Sequence, residues 1–238
     1  MSAVLNIRKR QPRIGVRKLH KLITPKLQEQ GIAMGRDQLF DLLRANKLLI
    51  YPNKKYVTTT NSYHRFRTYS NLIKDLAVTK INQVFVSDIT YITTLEGFCY
   101  LALITDAYSR KIVGYYLSHS LGIEGCLKAL TMALKDVKHP EQLIHHSDRG
   151  IQYYSHAYVN LLTTNGVKIS MTEQNHVYEN ALAERVNGIL KNEFLLGEKL
   201  VSFKVAKELA AEAIAIYNNE RPHLSLNYRT PTEVHGEN

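Results

Sequence analysis

Tryptophan is absent from this sequence, and its 238 residues include only two cysteines. Cys99 and Cys126 stand far apart, each within an apolar segment, which excludes a disulfide framework and a cysteine-rich zinc site. Both are expected to be reduced core residues. Apolar runs are short too. None approaches the ~20 residues needed to span a bilayer, and no signal peptide opens the chain, so no membrane partner and a cytosolic location are expected. Acidic residues are scarce at one end: residues 1–80 hold 4 Asp and Glu against 17 Lys and Arg, a net of +13. Residues 81–238 hold 17 against 14, a net of −3. Charge kept only for solubility would not segregate so sharply. A basic front half before a near-neutral half suggests a polyanion-binding module followed by an enzyme core.

With 45% hydrophobic residues the chain can bury a proper core, in one large domain or two small ones. The stretch from Leu143 to Phe194 organises it. L-I-H-H-S-D-R-G-I-Q-Y-Y reads as a buried strand that delivers Asp148 to its C-terminal edge before a Gly150 turn, where open α/β sheets place their sites. N-A-L-A-E-R-V-N-G-I-L-K reads as a helix. Asn180, Glu184, Asn187 and Lys191 fall on one face, with Leu182, Val186 and Ile189 opposite. A third carboxylate, Asp88, lies inside the β-branched and aromatic run V-F-V-S-D-I-T-Y-I, which should be a central strand. Isolated buried carboxylates are expensive, and two placed ~4 Å apart repel by ~4 kcal/mol at an effective dielectric near 20. Convergence of Asp88, Asp148 and Glu184 would call for divalent cations, and oxygen-only ligands favour magnesium or manganese.

Residues 1–13 carry Arg8, Lys9, Arg10 and Arg13 with little apolar content and read as a mobile arm. From Gly15, V-R-K-L-H-K-L-I has a helical pattern, with Thr24-Pro25 interrupting it and Gly31 ending it. A second apolar face follows from Arg36 to Lys47, through Leu39, Phe40, Leu42 and Leu43. Helix, turn and helix with basic residues outward is similar to a helix-turn-helix; a plain helical hairpin is the alternative. Arg17, Lys18, Lys21, Arg36 and Arg44 are candidate DNA contacts. The expected domains are this module over 1–50, a linker over 51–81 and a catalytic core with a C-terminal helix over 82–238. Within the core the pattern predicts strands at 84–92, 98–105 and 111–118, a helix at 122–136, a strand at 142–146 and a helix at 152–165. A strand at 167–170 and helices at 179–194 and 203–217 follow. Three strands and then alternating helices and strands give an α/β fold, a mixed sheet flanked by helices in ribonuclease-H-like order. His145 and His146 point opposite ways along a strand, so at most one faces the site. Asp106 reads as a turn residue.

The motifs D-I-T-Y-I, H-S-D-R-G-x-Q-Y and E-R-V-N-G-I-L-K, with 35 residues between Asp148 and Glu184, resemble the D-D-35-E signature of retroviral-integrase-like transposases. Within that group the chain is most similar to the second-reading-frame product of the insertion-sequence-three family. Tyr100 to Tyr115, Y-N-N-E-R-P-H from Tyr217 to His223, and Thr230 to Glu233 extend the resemblance over nearly the whole chain. Phe85 stands where the family usually has tryptophan.

The resemblance implies a DNA transposase with endonuclease activity, cutting and joining strands at element ends. Asp88, Asp148 and Glu184 would hold two Mg²⁺ ions, with Mn²⁺ able to substitute. Asn187 and Lys191 would contact DNA. The implied partners are double-stranded DNA, both terminal inverted repeats and target, a homo-oligomer on paired ends, and an upstream-frame protein or fused segment. A bacterial, nucleoid-associated setting goes with them. Two rival readings are a catalytically silent DNA-binding regulator, which would need a broken triad, and a ribonuclease-H-type nuclease that cuts without joining. The roles of Tyr217, Arg221 and His223 do not follow from sequence.

Overall fold

The computed structural model describes residues 1–51, 69–173 and 180–237. The β-branched run at Val84 forms β1 (Val84–Thr94), which continues through a hairpin into β2 (Gly97–Asp106) and then β3 (Ile112–Ser118). These three strands are antiparallel. After α4 (Ile123–Leu134) the chain returns to the other side of β1, where β4 (Ile144–Ser147) pairs in parallel. Two short helices, α5 (Ile151–Tyr154) and α6 (His156–Thr164), lead to β5 (Lys168–Met171), parallel to β4. The strand order is β3-β2-β1-β4-β5, so β1 is central, antiparallel to one neighbour and parallel to the other. The α/β mixed sheet expected from the pattern is present, and its topology turns over beside β1.

Helices cover both faces. On one face α7 (Ala181–Glu193) and α8 (Phe203–Asn219) pack Val186, Leu190, Ala210 and Ile214 onto Ile92, Leu101 and Leu103. On the other, α4 and α6 pack Cys126, Ala129, Leu130 and Leu162 onto Phe85, Ala102 and Ile104. Phe85 is fully buried there, filling a core slot with an aromatic ring. Gly114 permits the close seat of α4 on β3: a Cβ at this position would lie 2.1 Å from the Ala129 carbonyl oxygen. A short helix, α9 (Pro231–His235), follows α8, with Thr230 and Glu233 forming a capping box. Among the described residues no helix is long and apolar enough to cross a membrane.

Several boundaries differ from the sequence expectation. Residues 1–13 are not an irregular arm. They contain α1 (Ser2–Arg10), because Val4 with Ala3 and Ile7 packs into a small core with α2 (Val16–Glu29) and α3 (Arg36–Ala45). Thr24-Pro25 does not interrupt α2, which runs through Pro25 while the Thr24 hydroxyl donates to the His20 carbonyl at 2.7 Å. The helix expected at 152–165 is two helices, broken at Ser155, whose side chain caps the second. The strand expected at 142–146 begins at Ile144, because Pro140–Gln142 forms a 3₁₀ turn. Of the expected linker, 52–68 lies outside the described residues, while 69–81 already packs on the core. Ile73, Leu76 and Val78 meet Val84 and Val86, and the Leu72 amide donates to Ser170 Oγ at 2.9 Å.

Candidate active site and nucleic-acid interface

The parallel register of β1 and β4 runs Val84 with Ile144 through to Ser87 with Ser147. Asp88 is the next residue of β1 and Asp148 the first residue after β4, so both stand just past the last pair of that register. Neighbouring strands are ~4.8 Å apart. Asp88 is pushed up to about 7, first by burial, then by Asp148, with Glu184 adding a smaller push. The Ile89 amide, 2.8 Å from Oδ1, and the Asn187 amide, 2.7 Å from Oδ2, oppose that rise. Asp148 Oδ1 accepts from the Gly150 amide at 2.9 Å, which fixes the turn after β4.

The third carboxylate comes from α7. Glu184 is exposed in the first turn of that helix, and Asn180, just before it, donates to the Ser87 carbonyl at 3.1 Å. That bond ties the start of α7 to the strand residue preceding Asp88. The face of α7 differs from the sequence expectation. Its buried positions are Ala183, Val186, Asn187 and Leu190, whereas Leu182 and Ile189 are half-buried flanks. Asn187 is therefore not turned outward toward a ligand; it is 7% exposed and committed to Asp88. Lys191, one turn further, lies with Nζ 3.9 Å from the centre of the Tyr91 ring. Burial lowers its pKa, and the negative charge of Asp88 acts against that.

The carboxylates of Asp88, Asp148 and Glu184 would offer oxygen alone, and nearby on α7 and at its start two buried amide oxygens, Asn187 Oδ1 and Asn180 Oδ1, have no hydrogen-bond partner among the described residues. That chemistry suits a hard divalent cation. Among the described residues, no three His, Cys, Asp or Glu side chains are already gathered into a metal cage. The sheet sets the positions of the two aspartates, and Glu184 lies exposed in the first turn of α7.

Behind the carboxylates lies a polar layer that sequence reading missed. His145 Nε2 is 2.6 Å from Ser87 Oγ and 2.8 Å from Tyr158 Oη, and burial pushes the ring down to about 3, so it is neutral. His146 Nδ1 is 2.9 Å from Ser170 Oγ on the other face of β4. The Cys126 thiol is pushed up to about 12 by burial and by Asp148, and both cysteines are free and buried. Asp106 closes the β2–β3 turn: its carboxylate accepts from the Ser109 amide and hydroxyl and from the Asn82 amide. No spacing rule links Ser87 to Tyr158, so only the folded register could reveal this layer.

The basic candidates divide. Arg17, Lys21 and Arg36 are exposed and line a groove of about 600 Å³ together with His20, Gln28 and Tyr228. Arg36 also pairs with Asp37 at 2.8 Å, and exposed Arg44 pairs with Asp41 at 2.5 Å. Lys18, also expected to contact DNA, faces the other way. Its side chain is only 12% exposed and its ammonium donates to Glu193 at 2.9 Å, so it is turned inward, away from the groove.

Two integrase core domain family models match the chain, over residues 78–176 and 165–231. An uncharacterized 31 kDa protein of insertion element IS600 from Shigella sonnei is 39% identical over 96% of this chain and 83% of its own length. The transposase of insertion sequence IS629 from Shigella sonnei is 32% identical, covering 92% and 73%. Transposase InsF of IS3A from Escherichia coli K12 is 30% identical, covering 91% and 76%. The fold is shared with the HTLV-2 integrase catalytic core solved in complex with magnesium, at a TM-score of 0.51 and 17% identity over 66% of this chain and 97% of that one. It is also shared with the simian T-cell lymphotropic virus intasome, at 0.56 and 16% identity over 94% and 75%. With that sheet, that order of motifs and relatives matching along almost its entire length, this chain belongs to the IS3 family of DNA transposases, enzymes of the integrase-like polynucleotidyl transferase type.

Proposed function

We propose that the chain cuts and joins DNA strands at the ends of an insertion sequence, with Asp88, Asp148 and Glu184 as catalytic metal ligands. The observation that carries this reading is the position of Asp88 on β1, one residue past the last β1–β4 pair, with its half-buried carboxyl pushed up to about 7 first by burial and then by Asp148. Such a carboxylate pair is costly until a cation neutralises it. Magnesium, replaceable by manganese, would supply that neutralisation, together with activation of the attacking oxygen and stabilisation of the leaving one. Asn187 orients Asp88. Lys191 would meet a DNA phosphate next to the reacting one, and its position over Tyr91, within reach of the Asp88 charge, supports that role.

Residues 1–50 serve as the DNA-binding module in this reading. Arg17, Lys21 and Arg36 take backbone phosphates along the groove, with His20 and Tyr228 as polar walls. Residues 69–81 pack on the core in this reading, ahead of the start near residue 82 expected from the sequence. Double-stranded terminal repeats and target DNA are the substrates, and a homo-oligomer on paired ends, with or without an upstream-frame segment, is the working assembly.

The test is direct. Purified chain incubated with Mg²⁺ and DNA carrying the flanking terminal repeats is expected to give nicked and joined products. Calcium should support binding without chemistry, since its longer, looser ligand geometry misplaces the reacting oxygens. Turnover that persists in EDTA would remove the metal-ligand reading.

A further inference from the structure

The Y-N-N-E-R-P-H motif finds its role in packing, at a junction of three distant segments. The Asn218 side chain bonds both the amide and the carbonyl of Ile112 at 2.9 Å, acting as a strand partner for β3. Tyr217 donates to the Arg110 carbonyl at 3.1 Å. Arg221 is 3% exposed and grips Glu193, the last residue of α7, with two bonds of 2.8 Å. Its remaining nitrogen donates to His223 Nε2 at 3.0 Å, and the Tyr217 ring packs against both residues.

The same Glu193 carboxylate accepts from Lys18 of α2 at 2.9 Å, and its backbone carbonyl accepts from the Arg13 amide at 3.2 Å. A second contact lies beside it. Arg10 of α1 makes a two-pronged pair with Glu220 at 2.8 and 2.5 Å, and Gln11 donates to the Glu220 carbonyl at 3.4 Å. Surface ion pairs hold little, but a carboxylate shared by two largely buried cations is demanding, because loss of either partner leaves uncompensated charge.

We propose that Lys18, Glu193 and Arg221 form a positioning clamp that fixes the N-terminal helices against the helix carrying Glu184, Asn187 and Lys191. Glu193 stands nine residues after Glu184 on the same rigid helix, so whatever seats α2 on Glu193 also sets the groove's aim relative to the carboxylates. Lys18 is then a positioning residue, not a phosphate contact. This inference rests on the proposed reading, in which the N-terminal helices grip DNA and α7 serves the chemistry.

The experiment uses the full chain and the variants Lys18→Met, which keeps the apolar stem, and Lys18→Arg, which keeps the charge. Terminal-repeat DNA affinity is measured over a salt series, and strand cleavage is followed as a single turnover at saturating DNA with Mg²⁺. Lys18→Met is expected to keep its affinity and salt slope within about twofold while losing about tenfold or more in rate, as small misplacements of bound reactants do. Lys18→Arg should recover most of that rate. Hydrogen exchange should show residues 2–29 less protected in Lys18→Met, with β1 to β3 unchanged. Arg10→Ala, at the outer contact, should act in the same direction and more weakly.

Weakened binding with a salt slope flatter by about one unit, at a normal saturating rate, would make Lys18 a phosphate ligand and overturn the clamp. So would a Lys18→Met protein unchanged in rate and exchange. If the wild-type chain itself neither binds nor cuts, the functional reading fails separately, and exchange alone decides: undiminished protection of residues 2–29 in Lys18→Met overturns the clamp.

Discussion

Asn187 donates an amide hydrogen to Asp88 Oδ2 at 2.7 Å, joining the middle of α7 to the central strand β1. Supporting bonds of this kind hold a ligand's orientation and tune its basicity, and their loss typically costs 10–100-fold in metal affinity or activity. Asn187→Leu is therefore expected to raise the Mg²⁺ concentration needed for half-maximal cleavage by about tenfold or more. A magnesium titration of the cleavage rate checks this. An unchanged midpoint would reduce the contact to packing.

Asp88 also makes metal-free stability depend on pH. Its carboxyl is pushed up to about 7 in the folded chain, mainly by burial and then by Asp148, from an ordinary value of 3.8. Between those values the folded state holds a proton that the unfolded state has lost. The contribution of Asp88 to stability is thus full below about pH 4, falls as pH rises toward 7 and is flat above. Asp88→Asn cannot ionise, so in EDTA it should gain on wild type across that window, by up to about 4 kcal/mol at pH 8. Neutral buried His145 and His223, both pushed down to about 3 chiefly by burial, act in the opposite sense but equally in both proteins. Urea unfolding of the pair from pH 5 to 8 provides the measurement. A stability difference independent of pH would contradict the shift.

In the N-terminal groove, Arg17→Ala combined with Arg36→Ala should weaken binding to terminal-repeat DNA and flatten the salt dependence by roughly two units. Arg17 and Arg36 are exposed along one groove with Lys21, so each can neutralise a phosphate. Anisotropy titrations from 50 to 200 mM salt decide it. An unaltered slope would move the DNA-binding surface elsewhere.

The elements that carry the three carboxylates were legible: the β-branched and aromatic run around Asp88 forms the central strand, and the amphipathic run around Glu184 forms α7. The N-terminal helix α1 was not. Its inward apolar residues, Ala3, Val4 and Ile7, become meaningful only when Leu19 and Leu43 are there to meet them. Lys18 resembles Arg17 in sequence, yet one faces solvent and the other Glu193, a distinction made by a partner 175 positions away. Helical spacing grouped Asn187 with Glu184 and Lys191, yet Asn187 is buried with Val186 and Leu190 and bonded to Asp88, a distinction that spacing cannot make. Pro25 misled for a related reason: a helix tolerates it once packing of Leu19 and Ile23 has fixed the flanking turns.

The sheet makes its own demand at Gly114. Any side chain there meets the Ala129 carbonyl, so α4 must move off β3. Gly114→Ala is expected to destabilise the chain by about 1–3 kcal/mol, the usual scale of overpacking. A fall in the urea midpoint without a change in its slope would report it. A midpoint equal to wild type would mean that α4 sits less tightly than described.

If Asp88, Asp148 and Glu184 act together on a metal, as proposed, Glu184 is the sharpest probe, because it is exposed and lies outside the sheet. Cleavage of terminal-repeat DNA by Glu184→Gln, with binding and unfolding measured on the same preparation, is the decisive measurement. Binding and stability should match wild type while cleavage falls by about 10³-fold or more, equivalent to about 4 kcal/mol of barrier. A Glu184→Gln protein that cuts within a fewfold of wild type at the same Mg²⁺ concentration would contradict the assignment.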